Sequence, residues 1–135
     1  MSFCIVLMRS GILMDDSDFH IKLAKEKRLG ALREFSAGAY SNTSDLALKA
    51  VEQAIEAVAA KDDIHFHIRP RTAHLERRKW VGEHIPQVSG FLGLVWDAYG
   101  RLGYGGVDGD RAKKAVEAME EAFNEIGKST GIKFI

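Results

Sequence analysis

Apolar residues recur at every third or fourth position along most of the chain, which is the spacing of amphipathic helices. The clearest example is a run ending near Ala60, whose broad apolar face predicts the second of five helices. That face consists of Leu46, Leu48, Val51, Ala54, Ile55 and Val58. We find no alternation of apolar and polar residues that predicts a sheet. The pattern therefore predicts an all-α bundle of four to five helices, with the second, fourth and fifth forming most of the core.

The first helix is predicted to begin near Ser17, a capping residue flanked by aspartates, and to end within residues 36–38. Residues 40–45 are rich in serine, threonine and asparagine, and they predict a turn before the second helix. The first helix has a basic face, which either is solvated or contacts an acidic partner. Its opposite face is an apolar stripe made of Phe19, Leu23, Leu29, Ala31, Leu32 and Phe35.

A connection over residues 61–73 leads to a third helix, for which Thr72 is the candidate cap. This helix is predicted to run to about Glu83. Its inward side chains are predicted to be Leu75, Trp80 and Val81, and its outward ones Arg77, Arg78 and Lys79.

Two further helices complete the bundle. Pro86 suits the first turn of the fourth helix, which is apolar on nearly all sides and therefore lies either at the centre of the bundle or at a subunit contact. The fifth helix is predicted to begin at Asp108 or Asp110 and to be stopped by Gly127. Residues 128–135 would then form a frayed C-terminal tail.

The segment before the bundle differs from the rest of the chain. Residues 1–14 are either an N-terminal extension or an extra packing segment such as a short strand, and the bundle itself is assigned to residues 15–127. The apolar run at residues 3–8 is too short to span a bilayer, which takes about 20 residues. No other segment has the length and apolar character to cross a membrane.

Composition narrows the class of protein. The chain has 135 residues, 46% of them hydrophobic and 28% charged, which is typical of one globular domain. Nineteen basic and 19 acidic residues give zero formal charge, which argues against binding nucleic acid mainly through bulk charge. The single cysteine, Cys4, excludes an internal disulfide and a Cys-x-x-Cys site. These features predict a cytoplasmic protein.

An Arg-x4-His spacing links Arg69 to His74, with Arg71 between them. An arginine that binds phosphate and a histidine that transfers a proton are the pair that metal-independent RNA cleavage needs. The alternative is that a loop arginine and a helix-start histidine have no joint role. In the first case Arg69, Arg71 and His74 are the candidate catalytic residues, in a composite site across a dimer.

Two other motifs have weaker chemical meaning. His65 and His67 would point to the same face of an extended segment, where one metal ion can bind both. No carboxylate or cysteine lies at a diagnostic spacing from them, so we favour histidines without a joint role and predict neither a metal nor a cofactor. The glycine-rich residues 100–109 lack the strand that precedes a phosphate-binding loop, and they predict a helix end and a turn.

The order of these segments resembles the HEPN family (higher eukaryotes and prokaryotes nucleotide-binding). The second helix reads TSDLALKAVEQAIEAVAA, RTAHLERRKWV opens the third, and an alanine-rich helix, DRAKKAVEAMEEAFNEI, closes the domain. The resemblance covers roughly residues 15–127. It implies an up-and-down bundle that dimerises. Many such domains are ribonuclease toxins with an Arg-x4-6-His motif in the later helices, and others are inactive partners of nucleotidyltransferase domains.

This chain departs from the family pattern, because no histidine follows Arg101 and its Arg-x4-His spacing lies earlier. The first functional hypothesis is therefore a non-catalytic HEPN-like module that dimerises and binds a nucleotide or a protein partner, either nucleotidyltransferase-type or an antitoxin. The alternative is a toxin-like, metal-independent RNA endonuclease. A homodimer is predicted through the fourth helix, with Phe91, Val95 and Tyr99 at the interface.

Overall fold

Five α-helices account for most of the computed structural model, which describes residues 5–7, 13–102 and 108–134. They are α1 (Asp16–Ser36), α2 (Tyr40–Ala60), α3 (Ala73–His84), α4 (Ser89–Leu102) and α5 (Gly109–Thr130). Single 3-10 turns at Phe66–Ile68 and Pro86–Val88 precede α3 and α4. The all-α prediction with five helices is confirmed. None of the described helices is long and apolar enough to cross a membrane.

A short antiparallel hairpin precedes the bundle. Strand β1 (Ile5–Leu7) pairs with β2 (Leu13–Asp15), with Ile5 opposite Asp15. Both strands contact α1. The hairpin corresponds to the short strand that the sequence offered as one alternative for this segment.

The core lies where α2, α4 and α5 pack against one another, and α1 lies along α2. Alanines on α2 and α5 are buried at the contacts, so the helix backbones approach closely. The larger side chains that fill the centre include Val51, Ile55, Val95, Met119, Phe123 and Ile126. The predicted apolar face of α2 is buried along most of its length.

Two predicted helix ends are wrong. Helix α2 begins at Tyr40 rather than after a turn over residues 40–45, because the Thr43 hydroxyl donates to the Ala39 carbonyl within the helix instead of capping it. Helix α5 continues past Gly127 to Thr130 and ends at Gly131, which has a left-handed backbone (φ 76°) and donates its N–H to the Gly127 carbonyl.

The C-terminal tail is also not frayed, because Ile132 and Phe134 are buried against α5. The Phe134 ring lies 5.2 Å from that of Phe123. At the other end of α5, the Asp108 carboxylate accepts the backbone N–H groups of Asp110 and Arg111 and caps the helix, which begins at Gly109, between the two predicted starts. The middle of the glycine-rich turn, residues 103–107, lies outside the described residues.

Helix α3 differs most from its prediction. Trp80 and Val81 are buried as expected, but the Leu75 side chain faces solvent, with 58% of the residue exposed. Arg77 points inward, where its side chain is only 11% exposed and pairs with two carboxylates of α2. Thr72 occupies the cap position, yet its hydroxyl donates to the Glu76 carboxylate and caps no backbone N–H. Leu29 of the predicted α1 stripe is likewise half exposed.

Candidate functional site

Polar side chains converge at one end of the bundle, where the start of α1, the middle of α2, the connection after α2 and α3 meet. We refer to them as the polar cluster, which consists of Asp16, His20, Glu52, Gln53, Glu56, His65, His67 and Arg77. Much of it is buried, and Glu56 has no exposed surface. Burying a polar group costs free energy unless the group is paired, so the burial of so many polar side chains in one place needs an explanation.

Local structure brings the cluster together. Asp16 and His20 are four residues apart and share one face of α1, which the Ser17 hydroxyl holds against α2 by donating to the Ala57 carbonyl (2.7 Å). After α2, Asp63 has a left-handed backbone (φ 58°), and the Ile64 N–H donates a hydrogen bond to the Ala59 carbonyl, which reverses the direction of the chain. The connection that follows this reversal places His65 and His67 within hydrogen-bonding distance of the cluster's carboxylates.

One half of the cluster is an ion-pair network. Arg77 donates from Nη1 to Glu52 (2.7 Å) and from Nε to Glu56 (3.1 Å). Burial raises the pKa of the Glu52 carboxyl, and the Arg77 guanidinium partly offsets that rise. Arginine suits this position because its rigid fork can satisfy two carboxylates at once.

The other half of the cluster contains histidines. The Nδ1 atom of His20 bonds to Gln53 Oε1, and its Nε2 atom lies 3.6 Å from Asp16 Oδ1. His65 lies between two carboxylates, with Nδ1 2.7 Å from Asp16 and Nε2 2.8 Å from Asp63. His67 Nδ1 is 3.3 Å from Glu56 Oε2. His65 and His67 thus contact different carboxylates of the cluster, from a 3-10 turn and its flank rather than from an extended strand.

A cleft of about 300 Å³ opens beside the cluster, between α2, α3 and α4. The ring of His74 stacks on the indole of Trp96, with centroids 4.7 Å apart and planes 10° from parallel. The cleft is lined by Leu48, Lys49, Glu52, His67, Pro70, Ala73, His74, Arg77, Trp96 and Tyr99. Glu52, His67 and Arg77 belong to both the cleft and the polar cluster.

The structure separates the predicted catalytic residues. His74 lines the cleft, whereas neither Arg69 nor Arg71 is among the described residues that do so. Arg69 is exposed and donates to Glu76 on the outside of α3, with Nε 3.1 Å from Oε1. Pro70 contributes to the cleft wall between the two arginines. The guanidinium in the cleft is that of Arg77, which lies one helical turn after His74.

The predicted interface residues have different environments. Val95 is completely buried within the chain and has no surface for a second copy to contact. Phe91 and Tyr99 are partly buried, and Tyr99 faces the cleft. Among the side chains of α4 whose exposure is described, which extend to Arg101, the large apolar one that faces solvent is Leu94.

Sequence reasoning missed Asp16, His20, Gln53, Glu56 and Arg77 as site residues. One signal was present: Glu56 lies next to Ile55 on a helix whose inward positions are otherwise apolar, and a carboxylate there needs a partner. A second was the four-residue spacing of Asp16 and His20. Neither signal identifies the partners, because these come from distant parts of the chain.

Comparison with known proteins gives no match: no family model fits the chain, and neither a curated protein nor a solved structure is significantly similar to it.

Proposed function

We propose that this chain is a HEPN-like helical module that binds a nucleotide, or one nucleotide unit of an RNA strand, in the cleft between α2, α3 and α4. The observation that carries the proposal is the flat stack of His74 on Trp96 next to Lys49. Such a stack presents an aromatic surface beside a cation, and a nucleotide combines a planar base with an anionic phosphate.

The base supplies most of the expected affinity. Stacking of a base on an aromatic side chain contributes about 1–3 kcal/mol and tolerates any base. Arg77 is already neutralised by Glu52 and Glu56, so it adds little net positive charge. Lys49 is exposed at the rim and is the residue we assign to the phosphate. Salt should therefore weaken binding only slightly, with a slope near −0.7 for one phosphate contact on a single strand.

Intrinsic fluorescence tests this proposal. In a Trp80→Phe background, Trp96 is the one remaining tryptophan of the chain. Titration with the four ribonucleoside 5′-monophosphates in the presence of a chelator should quench its emission with saturation. His74→Ala and Lys49→Ala should each weaken binding, and Lys113→Ala on the exposed face of α5 is the matched control. The absence of saturable quenching with every nucleotide would contradict the proposal.

Dimerisation remains part of the proposal. Helix α4 exposes Leu94 and leaves Phe91 partly exposed, so it offers an apolar surface that a second copy would cover. Light scattering at tens of micromolar protein should give the mass of a dimer, and Leu94→Lys should shift it toward that of a monomer. A wild-type monomer under these conditions would remove this part of the proposal.

A second candidate function is metal-independent RNA cleavage, and one observation favours it. His67 and His74 line the same cleft as Lys49. Two imidazoles can act as general base toward a 2′-hydroxyl and as general acid toward the leaving oxygen, while a cation stabilises the charge on the phosphate. The candidate residues are then His67, His74 and Lys49, and Arg69 has no part in the reaction.

Incubation of the purified protein with total RNA and a chelator tests this second function. His74→Ala should reduce cleavage roughly 10²–10⁴-fold, the usual contribution of a general acid or base. Arg69→Ala should cleave like the wild type. Intact RNA after incubation with the wild-type protein would exclude cleavage and leave nucleotide binding as the proposed function.

A further inference from the structure

We propose that Asp16, His20 and His67 form a binding site for a divalent transition-metal ion, beside the nucleotide cleft. One ligand atom from each of these residues lies within 4.8 Å of the other two. Asp16 and His20 come from the start of α1, and His67 comes from the 3-10 turn that precedes α3. The inference is independent of the proposed function, although His67 contributes to both sites.

The first observation is the orientation of His20. Because Gln53 Oε1 accepts a hydrogen bond from Nδ1, the proton of the neutral ring is on Nδ1 and the lone pair is on Nε2. This Nε2 atom is buried and has no hydrogen-bond partner among the described residues. A histidine whose second nitrogen donates to an oxygen, with the first left free, is the usual arrangement of a metal ligand.

The second observation concerns Asp16, whose two oxygens have different neighbours. Oδ1 lies 3.6 Å from His20 Nε2, which is too long for a hydrogen bond but close to the separation of roughly 3.3 Å expected for two atoms bound tetrahedrally to one ion at about 2.0–2.1 Å. Oδ2 is 2.7 Å from His65 Nδ1. Despite this short distance, neither Asp16 Oδ2 nor His65 Nδ1 has a hydrogen-bond partner with suitable geometry in the described part of the chain. We assign Oδ1 to the ion because of its separation from His20 Nε2, and we assign His65 no role in the site.

The third ligand, His67, repeats the arrangement of His20. Its Nδ1 atom is 3.3 Å from Glu56 Oε2, so that carboxylate orients the ring and leaves Nε2 free to bind. The ring centroids of His20 and His67 are 5.0 Å apart. The His67 side chain is 41% exposed, so this ligand lies on the solvent side of the site.

The chemistry of these ligands selects the ion. Two imidazole nitrogens and one carboxylate oxygen suit Zn²⁺, Fe²⁺, Co²⁺ or Ni²⁺, whereas Mg²⁺ and Ca²⁺ prefer sites made of oxygen. Three protein ligands leave further coordination positions for water or a substrate. Because His67 also lines the cleft, the ion would be reached from the side on which we place the nucleotide.

Titration of the chelator-treated, dialysed full-length protein with Zn²⁺ tests the site by calorimetry, and Co²⁺ provides an absorption spectrum of the bound ion. The wild type should bind one ion per chain, while Mg²⁺ should give no comparable heat. His67→Ala, at an exposed side chain, should weaken Zn²⁺ binding by at least tenfold, and His20→Ala by more. Gln53→Ala should weaken it about 10–100-fold, as expected for loss of a residue that orients a ligand.

The matched control is His84→Ala, since His84 is an exposed histidine at the end of α3 that packs against Trp80. This variant should bind Zn²⁺ like the wild type. A wild-type protein that binds no Zn²⁺, or His67→Ala and His20→Ala variants that bind as tightly as the wild type, would overturn the proposal. Because the nucleotide titration is carried out in chelator, failure of the metal site and failure of the nucleotide cleft can be told apart.

Discussion

The core between α2, α4 and α5 and the polar cluster at the start of α1 are both largely buried, but their side chains differ in chemistry. The core consists of alanines and larger aliphatic, methionine and aromatic side chains, whose packing there needs no charged partner. The cluster consists of carboxylates, imidazoles and a guanidinium, and three of its buried atoms lack an aligned partner among the described residues: Asp16 Oδ2, His20 Nε2 and His65 Nδ1.

This difference is the reason why we assign folding to the core and propose binding for the cluster. Burial of apolar surface contributes roughly 25 cal/mol per Å² to the free energy of folding, so the core stabilises the fold directly. Buried ion pairs and imidazoles seldom improve on apolar residues of the same size. We infer that the contribution of the cluster to stability depends on each charge having its partner, and we propose that the cluster serves the metal binding described above.

The largest effect is expected from truncation of the core. Phe123 is buried on α5 and packs against Phe134, so Phe123→Ala leaves a cavity and also frees the C-terminal tail. We expect a loss of about 3–5 kcal/mol in the free energy of unfolding, measured by urea denaturation. A loss below about 1 kcal/mol would be typical of a surface site and would contradict this description of the core.

The next largest effect should come from breaking the ion-pair network. Arg77→Met leaves the Glu52 and Glu56 carboxylates without their cation, and Glu56 is fully buried. Removing one partner of a buried ion pair lowers the free energy of unfolding by about 3–5 kcal/mol. Because Arg77 and Glu52 are partly exposed, we expect a loss near the lower end of this range. The triple variant Arg77→Met, Glu52→Gln, Glu56→Gln should recover much of this loss in the same urea experiment. If the single and triple variants are equally unstable, the charges are not the cause.

A metal ion should stabilise the cluster without changing the core. Saturation of a site at about 100 times Kd raises the free energy of unfolding by about 2.7 kcal/mol. Zn²⁺ should therefore raise the melting temperature of the wild type and of Phe123→Ala alike, and that of His67→Ala clearly less. Equal shifts in all three proteins would indicate binding elsewhere.

The smallest effect concerns the Asp108 cap, which belongs to neither region. The backbone N–H of Arg111, followed by the Arg111 side chain and the Asp110 N–H, lowers the pKa of the Asp108 carboxyl below its ordinary value of 3.8, against a smaller opposing effect of burial. A lowered pKa in the folded state means that the stabilisation is present above the ordinary pKa and is lost as pH falls through the folded-state value. Asp108→Ala should therefore melt at a lower temperature than the wild type at neutral pH. The difference should shrink in acid, and a difference independent of pH would contradict this assignment.

The sequence predicted local features well and long-range ones poorly. The face of α2, the start of α5 and the burial of Trp80 follow from residue types and spacing within one helix. Arg77 was predicted to face outward because its carboxylate partners lie on another helix, more than 20 residues earlier. The pairing of Arg69 with His74 was inferred from spacing alone; within one chain Arg69 pairs with Glu76, and a composite site across a dimer stays a prediction.

For the candidate site too, the sequence predicted single residues but not their partners on other helices. His74 was identified from the sequence, yet its stacking partner Trp96 lies on α4. The sequence showed no co-ligand for His67 at a diagnostic spacing, because the proposed co-ligands Asp16 and His20 lie at the start of α1, about 50 residues before it. Which residues of different helices meet depends on how the helices pack, and the spacing of apolar residues within one helix does not predict that packing.

The most direct test of the central claim, that the polar cluster is a binding site rather than a part of the core, is a crystal structure of the protein soaked in Zn²⁺, with anomalous data collected at the zinc edge. We predict one strong anomalous peak between Asp16, His20 and His67, about 2.0–2.2 Å from the three ligand atoms. An ordered water at that position, or anomalous peaks only at exposed residues such as His84, would contradict the claim.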